Sequence, residues 1–364
     1  MKAAVLREVG KPLQIEDVQI GKPGPHEVLI RTRAAGVCHS DLHFVEGSYP
    51  HPLPAVLGHE SAGVVEQVGS EVRTVKPGDH VITCLSAFCG HCEHCLTGYM
   101  SRCVSPETRR AKDAEPRLFR EDAAQGPVNQ FLNLSSFAEQ MLIHEHACTA
   151  IRKDMPFDVA ALIGCSVTTG IGAVIHTSNV RAGETVAVIG CGGVGLAAVN
   201  GAAIAGAGRI IAVDTQGSKL NLAKQFGATD VVDATQGDPV KQVLEMTGGG
   251  VHHSFEAIGL KATAEQAFRM LRRGGTANII GMIPVGTMIE LHGADFLGEK
   301  RIQGSQMGSN RFPVDMPRFV DFYMAGKLKL DDMISRRIKL EQVNEAFEEL
   351  KRGEIARSVI VFDA

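Results

Sequence analysis

Two cysteines and one histidine, widely separated along the chain, carry side chains that together could hold one zinc ion: Cys38, His59 and Cys165. Two thiolates and one imidazole leave the fourth tetrahedral position open for water or substrate. Two thiolates and a neutral histidine also balance the charge of Zn²⁺, so the ion can still accept an alkoxide. The set predicts a reactive zinc centre. Taken alone, Cys165 would more simply be interpreted as a small side chain buried in the core.

Four further cysteines are crowded into one short segment: Cys89, Cys92, Cys95 and Cys103. Their spacing is typical of one tetrahedral zinc, whereas disulfide bonds across two consecutive two-residue gaps would be strained. Four thiolates leave a formal charge of −2 and no open position, so we interpret this second zinc as structural. The histidines between the cysteines, His91 and His94, are expected to face solvent.

A glycine-rich turn follows an apolar run and opens a predicted helix: Gly190-Cys191-Gly192-Gly193-Val194-Gly195. In a dinucleotide-binding loop, the first glycine permits the tight turn and the second lets backbone N–H groups approach a pyrophosphate. The third allows close packing of helix on strand. The helix N-terminus then favours phosphate charge. The alternative is a glycine-rich turn that binds nothing.

Asp214 ends the next predicted strand, at the distance from the glycine loop that is typical of a ribose-binding acid. A carboxylate there can accept hydrogen bonds from both ribose hydroxyls and would repel a 2′-phosphate, which favours NAD over NADP. Lys219 is close enough in sequence to touch the ribose.

Composition limits the class of protein. The 364 residues suggest two or three structural units, and the net charge of −4 gives no basic surface for nucleic acid or membrane. The N-terminal apolar run is too short for a signal peptide, and we expect no stretch to approach the length of a membrane span. Crowded cysteines without an export signal favour metal binding in the cytoplasm.

Secondary-structure patterns change along the chain. Residues 1–150 are predicted to be rich in strands, and 105–130 to be a long surface loop with short helix. After about residue 158, predicted strands and helices alternate, which indicates a parallel, doubly wound α/β sheet. The tail after about residue 304, with two helices and a strand, is expected to return to the first domain.

Several of these motifs, in this order, resemble those of the zinc-dependent medium-chain alcohol dehydrogenases over nearly the whole chain. The matching segments are Gly36-Val37-Cys38-His39-Ser40-Asp41-Leu42-His43, Gly58-His59-Glu60, the four-cysteine cluster, Gly164-Cys165, and the glycine loop with Asp214. The resemblance implies a strand-rich GroES-like catalytic domain, residues 1–166 with 304–364, and a Rossmann NAD-binding domain, residues 167–303. It also implies a homodimer or homotetramer, and the 105–130 segment resembles the long loop of dimeric members.

The resemblance assigns roles around the first zinc. Cys38, His59 and Cys165 match the catalytic ligands. Asp41 matches an acid that orients the histidine ligand and fixes its tautomer. Glu60 matches an acid behind the zinc that assists ligand exchange.

The resemblance also implies a proton path and cofactor contacts. Ser40 would take the hydroxyl proton of the alcohol, and His43 would pass it towards solvent. Thr169 would contact the nicotinamide, and His39 and Arg357 would face the pyrophosphate. The cofactors implied are NAD and two zinc ions per subunit.

Five apolar or aromatic residues fall near the substrate-pocket positions of the family: Tyr49, Leu85, Phe131, Leu132 and Ile283. They predict reversible oxidation of a medium-sized apolar or aromatic alcohol, primary or secondary, to an aldehyde or ketone. The partners expected are therefore small alcohols and aldehydes.

Three alternatives remain open from the sequence. The first is a glutathione-linked formaldehyde dehydrogenase, in which Arg109, Arg110 and Lys112 could hold the glutathione carboxylates. The second is an aldehyde reductase or dismutase that retains its nucleotide. The third is a non-catalytic, NAD-binding redox sensor.

Overall fold

Two compact units make up this computed structural model, which describes residues 1–110, 115–120, 126–353 and 355–363. The first unit comprises Met1–Cys165 and Arg311–Ala364, and the second comprises Ser166–Asn310. Lys112, one of the candidate glutathione-binding cations, lies outside the described residues.

Short strands dominate the chain up to Cys165, as their alternating patterns predict. The strands are β1 (Lys2–Leu6), β2 (Gln14–Asp17), β3 (Gln19–Ile20), β4 (Glu27–Val37), β5 (Ala55–Val56), β6 (Ser61–Val68), β7 (His80–Thr83), β8 (Leu118–Phe119), β9 (Asn129–Gln130), β10 (Gln140–His144) and β11 (Cys148–Ile151). The helices are α1 (His39–Val45), α2 (Glu93–Leu96) and α3 (Phe157–Leu162). The central strand β4 pairs antiparallel with β6 and β10, and β6 pairs with β7.

The second unit alternates strands and helices. Its elements are α4 (Thr168–Gly172), β12 (Thr185–Ile189), α5 (Gly193–Ile204), β13 (Arg209–Asp214), α6 (Gly217–Gln225), β14 (Asp230–Asp233), α7 (Pro239–Thr247), β15 (Val251–Glu256), α8 (Lys261–Arg269), β16 (Leu271–Ile279) and β17 (Arg301–Gly304). Within the described residues the sheet order is β14-β13-β12-β15-β16-β17, and every pair is parallel. The predicted doubly wound sheet is therefore confirmed.

One strand starts earlier than its sequence predicts. The sequence pattern predicts a helix over residues 263–271 and a strand from residue 276, but β16 begins at Leu271. Leu271 pairs with Val251, and the register then shifts before His253 pairs with Thr276. Gly274, at φ 74°, lies in this irregular stretch, where a glycine adopts the left-handed conformation at little cost.

A helix of 21 residues, Phe157–Thr177, corrects the expectation that no apolar stretch approaches membrane-spanning length. It contains α3 and α4 and two wide-turn π segments, Ile163–Val167 and Ala173–Thr177. It is long and apolar enough to cross a membrane, but 89% of its apolar window is buried in the protein. Such burial is typical of a core helix.

The tail returns to the first unit, as predicted. It contains α9 (Phe312–Met324), β18 (Ile334–Ile338), α10 (Val343–Lys351) and β19 (Arg357–Val361). Strand β19 pairs antiparallel with β4, between Ser358 and Val37 at one end and Val361 and Ala34 at the other. The structural division falls after Asn310 rather than after residue 303, because the turn Met307–Ser309 packs on α4.

Candidate zinc and dinucleotide sites

One ligand atom from each of Cys38, His59 and Cys165 lies within 4.8 Å of the other two, and all three side chains are buried. Cys38 immediately precedes α1, His59 lies just before β6, and Cys165 lies in the first π segment. Donor atoms around a tetrahedral zinc are about 3.5 Å apart. The three ligand atoms would therefore need to move only slightly closer together to bind one ion. Gly164 permits the approach, because a Cβ there would lie 2.9 Å from the carbonyl oxygen of Thr83.

Asp41 fixes the orientation of the histidine. Its Oδ1 lies 2.9 Å from Nδ1 of His59 and also accepts a hydrogen bond from the backbone N–H of Gly58. Burial and the nearby Cys38 raise the pKa of Asp41, and His59 opposes them. With Nδ1 engaged, Nε2 is the nitrogen that remains for a metal.

The thiol of Cys165 donates a hydrogen bond to the sulfur of Cys38. A hydrogen bond from Cys165 lowers the pKa of Cys38, and the same bond raises the pKa of Cys165. Burial disfavours both thiolates, whereas the positive charge of Arg357 favours them. A zinc ion would take the place of that proton, since both ligands must then be deprotonated.

Arg357 and Glu60 form a buried ion pair beside this triad. The guanidinium Nη2 lies 3.6 Å from Oε2 of Glu60, and Nη1 donates to the carbonyl oxygen of Val37. Burial would lower the pKa of Arg357, but Cys38, Glu60 and Cys165 raise it. Gly36 makes room for the acid, because a Cβ there would lie 2.8 Å from its carboxyl carbon.

Helix α1 places the predicted proton path on one element. Ser40 and His43 stand at positions i and i+3, so they share a face of the helix. The ring of His43 lies 5.2 Å from that of His39 and 6.1 Å from that of Tyr49. Burial lowers the pKa of His43, with Cys38 and Glu46 opposing, so the ring is neutral near pH 7 and able to accept a proton.

The predicted pocket residues occupy different environments. Phe131 is completely buried, and Leu132 is half-buried against the same core cluster. Tyr49 is half-buried, and the ring of Phe44 lies between it and Phe131. The centroid of the Phe44 ring is 5.9 Å from that of Tyr49 and 4.7 Å from that of Phe131. Leu85 packs against a different core cluster of the first unit, and Ile283 belongs to the second unit.

The four clustered cysteines also meet. Their sulfur atoms lie within 4.8 Å of one another, and three pairs are separated by 3.5–3.9 Å: Cys89–Cys95, Cys92–Cys95 and Cys92–Cys103. Sulfur atoms bound to one tetrahedral zinc are about 3.8 Å apart, so the set fits such an ion.

His91 lies beside this cluster in a way that the sequence did not indicate. Its Nε2 is 2.6 Å from Oε2 of Glu107, and with Cys89 the two form a second possible ligand group. Both His91 and Glu107 are exposed, and the hydrogen bond between them raises the pKa of the histidine. Four converging thiolates are the stronger zinc set, and the ion pair ties the loop to the segment that follows it.

The glycine loop is tightly turned and closely packed on its own backbone. Gly190 has φ 93°, and a Cβ on Gly195 would lie 1.7 Å from the carbonyl oxygen of Gly190. A Cβ on Gly192 would meet nothing within 4 Å, so the loop faces open space there. Helix α5 begins at Gly193, with Val194 in its first turn, and directs its free N–H groups towards this space.

Asp214 closes the loop from the neighbouring strand. Its carboxylate accepts hydrogen bonds from the backbone N–H groups of Cys191 (2.7 Å) and Gln216 (3.0 Å). Lys219, on α6, is near enough to lower the pKa of the Cys191 thiol, which burial and Asp214 raise. Elsewhere in this unit, the hydroxyl of Thr169 contacts the sulfur of Met307 at 3.4 Å.

The candidate glutathione-binding cations are not equivalent. Arg110 donates to both oxygens of the buried Glu27 and to the carbonyl oxygens of Lys22 and Glu115. Arg117 also donates to Glu27. These bonds hold Arg110 against the protein, whereas Arg109 is exposed.

Two contacts of Phe131 were not expected from the sequence. His51 packs its ring against Phe131 at 5.2 Å, and the hydroxyl of Ser135 accepts a hydrogen bond from the backbone N–H of Phe131. Asn133, a residue type that tolerates left-handed turns, is the one sequence signal of the turn that places Ser135 there.

Comparison with known proteins identifies the family. Residues 24–153 match the alcohol dehydrogenase GroES-like domain, and residues 193–323 match the zinc-binding dehydrogenase domain. The chain is 40% identical to an S-(hydroxymethyl)glutathione dehydrogenase of Haemophilus influenzae, over 99% of this chain and 96% of that one.

Solved structures of similar proteins match the whole chain. An alcohol dehydrogenase zinc-binding domain protein from Burkholderia ambifaria is 37% identical, with a TM-score of 0.94 over 100% of this chain and 99% of its own. Benzyl alcohol dehydrogenase from Acinetobacter calcoaceticus is 33% identical, with a TM-score of 0.93 over the same shares. The matched domains, the two sets of metal donors and the dinucleotide loop lead to one conclusion: this chain belongs to the zinc-dependent medium-chain alcohol dehydrogenases.

Proposed function

We propose that the chain is an NAD-dependent alcohol dehydrogenase that works through the Cys38, His59 and Cys165 centre, with S-(hydroxymethyl)glutathione as its leading substrate. The observation that carries the activity is the convergence of three buried donors, with Asp41 directing the free nitrogen of His59 towards the thiols. Membership in a family of oxidoreductases argues against the non-catalytic sensor.

The cofactors supply the electrophilic chemistry. When bound, zinc lowers the pKa of an alcohol hydroxyl, and the nicotinamide ring accepts a hydride from the carbon that bears it. The protein positions the two thiolates and the imidazole, and because these side chains are buried, it shields them from bulk water.

The protein's own groups move the proton. In the proposed path, Ser40 accepts the hydroxyl proton of the alcohol and His43, one turn along α1, receives it. The lowered pKa of His43 keeps the ring neutral near pH 7 and therefore ready to accept. Arg357, permanently charged beside Glu60, and His39 supply the proposed contacts to the pyrophosphate.

The preference for NAD is argued from Asp214. Its carboxylate is fixed at the end of β13 by two backbone N–H groups and cannot swing away from a ribose. A 2′-phosphate there would meet a negative charge held in place, which disfavours NADP.

The substrate follows from the relatives more than from the pocket. The 40% identical Haemophilus protein is an S-(hydroxymethyl)glutathione dehydrogenase, which supports the glutathione-linked alternative over the apolar alcohol first expected from the pocket residues. Such a substrate carries carboxylates that need a cation. Arg109 is the proposed partner, because Arg110 already binds Glu27.

An aromatic primary alcohol is the second candidate. The structural likeness to benzyl alcohol dehydrogenase and the aromatic group of Tyr49, Phe44 and Phe131 favour it.

A substrate comparison separates the two candidates. With NAD and zinc-loaded enzyme, kcat/KM for S-(hydroxymethyl)glutathione should exceed that for benzyl alcohol by at least tenfold. Arg109→Ala should raise KM for the glutathione adduct about tenfold and leave benzyl alcohol unchanged. A preference for benzyl alcohol that Arg109→Ala does not alter would favour the second candidate. Turnover without added NAD would instead indicate a retained nucleotide.

The remaining proposals concern assembly and compartment. Exposed apolar side chains of the second unit support the pairing of that unit with another copy: Leu260, Val285, Met288, Phe296 and Leu297. All nine cysteines fall within the described residues and are unpaired, which supports the cytoplasm as the compartment.

A further inference from the structure

Ser178, His253 and Glu184 form a chain of hydrogen bonds in the second unit, outside the zinc and dinucleotide sites. Oγ of Ser178 lies 2.6 Å from Nδ1 of His253, and Nε2 of the same ring lies 2.9 Å from Oε2 of Glu184. A hydroxyl, an imidazole and a carboxylate joined in this order are the parts of a nucleophilic triad. Such a triad is recognised by its geometry and by the roles of its groups rather than by sequence position.

The directions of these hydrogen bonds follow from the groups that make them. Burial would raise the pKa of Glu184, but the N–H of Arg181 and the ring of His253 lower it, so the acid is ionised near pH 7. A carboxylate only accepts, so Nε2 of the neutral His253 ring donates to Glu184. Nδ1 is then the acceptor, and the hydroxyl of Ser178 donates to it. The two nitrogens are exchanged relative to the usual triad, but either nitrogen of an imidazole can take the proton of a serine.

Asn278 adds a donor to the oxygen of the serine. Its Nδ2 donates to Oγ of Ser178 at 2.9 Å, and its side chain is completely buried. Gln303 holds this amide from the other end by donating to Oδ1 at 2.8 Å. A fixed N–H beside Oγ stabilises the negative charge that develops when the hydroxyl proton leaves.

The backbone brings these groups to one face of the parallel sheet. Asn278 stands two residues beyond Thr276, the partner of His253 on β16, so Asn278 and His253 project from the same face. The register shift that precedes His253 is an irregularity of the kind that often lies next to active sites. Ser178 follows the long apolar helix and is half-buried, and the left-handed Asn179 (φ 53°) then turns the chain. Because 12% of the His253 side chain is exposed, the site admits a small molecule from solvent.

We propose that Ser178 is a nucleophile with His253 as its general base, and that this second site hydrolyses small esters. Oγ attacks the carbonyl carbon of the ester while its proton passes to Nδ1 of His253. The bond between that carbon and the alcohol oxygen breaks, and the alcohol leaves with the proton, which gives an acyl-serine. Water then attacks the acyl carbon and gives one proton to His253. The acid leaves, and the proton returns to Ser178, so the reaction needs neither zinc nor nicotinamide.

A fluorophosphonate gives a readout that does not depend on turnover. The enzyme loaded with zinc and NAD is incubated with this probe, whose phosphorus binds the serine oxygen as fluoride leaves, and the modified peptide is identified by mass spectrometry. About one label per subunit is expected on Ser178, and Ser178→Ala should lose it. Ser305→Ala is the matched control and should be labelled like the wild type, because the hydroxyl of Ser305 binds that of Thr177 instead of a histidine.

Two variants test the activation of the serine. His253→Ala should slow the labelling about 100-fold or more, as expected when a general base is removed. Glu184→Gln keeps the size of the side chain and should slow it at least about tenfold, because the carboxylate that fixes the tautomer is gone.

Ester hydrolysis tests the activity itself. Ser178→Ala should reduce the hydrolysis of p-nitrophenyl acetate at least about tenfold, whereas Ser305→Ala should not change it. Oxidation of benzyl alcohol with NAD should be unchanged in Ser178→Ala, since this serine lies outside the dehydrogenase centre.

Four outcomes would overturn the proposal. A wild-type enzyme that takes no label on Ser178 would show that this serine is not a nucleophile. Equal labelling rates in the wild type and His253→Ala would show that the ring does not activate it, and if His253→Ala does not fold, equal rates in the wild type and Glu184→Gln decide the same point. Equal ester hydrolysis in the wild type and Ser178→Ala would place that activity elsewhere. Absence of alcohol oxidation together with normal labelling would count against the proposed dehydrogenase function alone.

Discussion

Oδ1 of Asp41 lies 2.9 Å from Nδ1 of His59, and neither side chain is more than 1% exposed. A carboxylate in this position keeps the proton on Nδ1 and leaves Nε2 as a lone-pair donor. The pairing links an acid in the first turn of α1 to a ligand that lies just before β6.

Asp41→Asn should weaken binding of the catalytic zinc by roughly 10–100-fold, because the amide no longer favours one tautomer of His59. Equilibrium competition with a chelator measures this directly. Affinity equal to that of the wild type would show that the carboxylate does not orient the ligand. The four-cysteine zinc in the same sample serves as the internal control.

Cys103→Ser should reduce the zinc content from two ions per subunit to one and lower the melting temperature, since a structural site contributes folding energy. His91→Ala and Glu107→Ala should both retain two ions, because the four thiolates already complete the tetrahedron. Elemental analysis of dialysed protein separates these outcomes. Loss of an ion in His91→Ala would assign the site to Cys89, His91 and Glu107 instead.

Asp214→Gly combined with Thr215→Arg should shift the ratio of kcat/KM values towards NADP. The double change removes the fixed negative charge and adds a cation at an exposed neighbouring position. Thr215→Arg alone is the control and should shift the ratio less. An unchanged ratio in the double variant would mean that Asp214 does not face the ribose.

Glu27 predicts an acid-dependent loss of stability. Burial would raise its pKa, but Arg110, Arg117 and the N–H of Gly24 lower it from 4.5 to about 2. A depressed folded-state pKa gives stabilisation that is complete above pH 4.5 and is lost as the pH falls towards about 2.

Glu27→Gln should therefore lower the free energy of unfolding at pH 7 by about 3–5 kcal/mol, as expected when one partner of a buried ion pair is removed. It should also flatten the pH dependence between 4.5 and about 2. Glu66→Gln, whose partner Arg31 is half exposed, should cost about 1 kcal/mol or less. Urea unfolding at several pH values tests both variants, and parallel acid profiles for wild type and Glu27→Gln would contradict the assignment.

The sequence carried the features that depend on local pattern. Alternating strands and helices predicted the parallel sheet, and short-range spacing predicted that the four sulfur atoms of Cys89 to Cys103 would meet. The donor types of Cys38, His59 and Cys165 made a zinc site possible and the resemblance assigned it, but no local pattern could show that they converge, because long stretches of chain separate them.

Features set by distant side chains could not be read in advance. Arg110 looked available to a substrate, but its partner Glu27 lies far away along the chain. The complete burial of Phe131 depends on Phe44 and His51 from a different part of the sequence. The early start of β16 follows from a shift in strand register around Val251, which has no sequence signal beyond a pair of glycines.

The spacing of the clustered thiols has a practical consequence for anyone who handles this enzyme. Two sulfur pairs separated by more than a two-residue gap, Cys89–Cys95 and Cys92–Cys103, lie 3.9 Å apart. A covalent S–S bond needs about 2 Å, so a shift of about 2 Å would join either pair if the cluster held no ion. A sample stripped of metal in air would therefore be oxidised and would no longer take zinc back. Aged preparations should therefore contain less zinc per subunit than fresh, reduced ones. The age of a preparation must be known before its zinc content is interpreted.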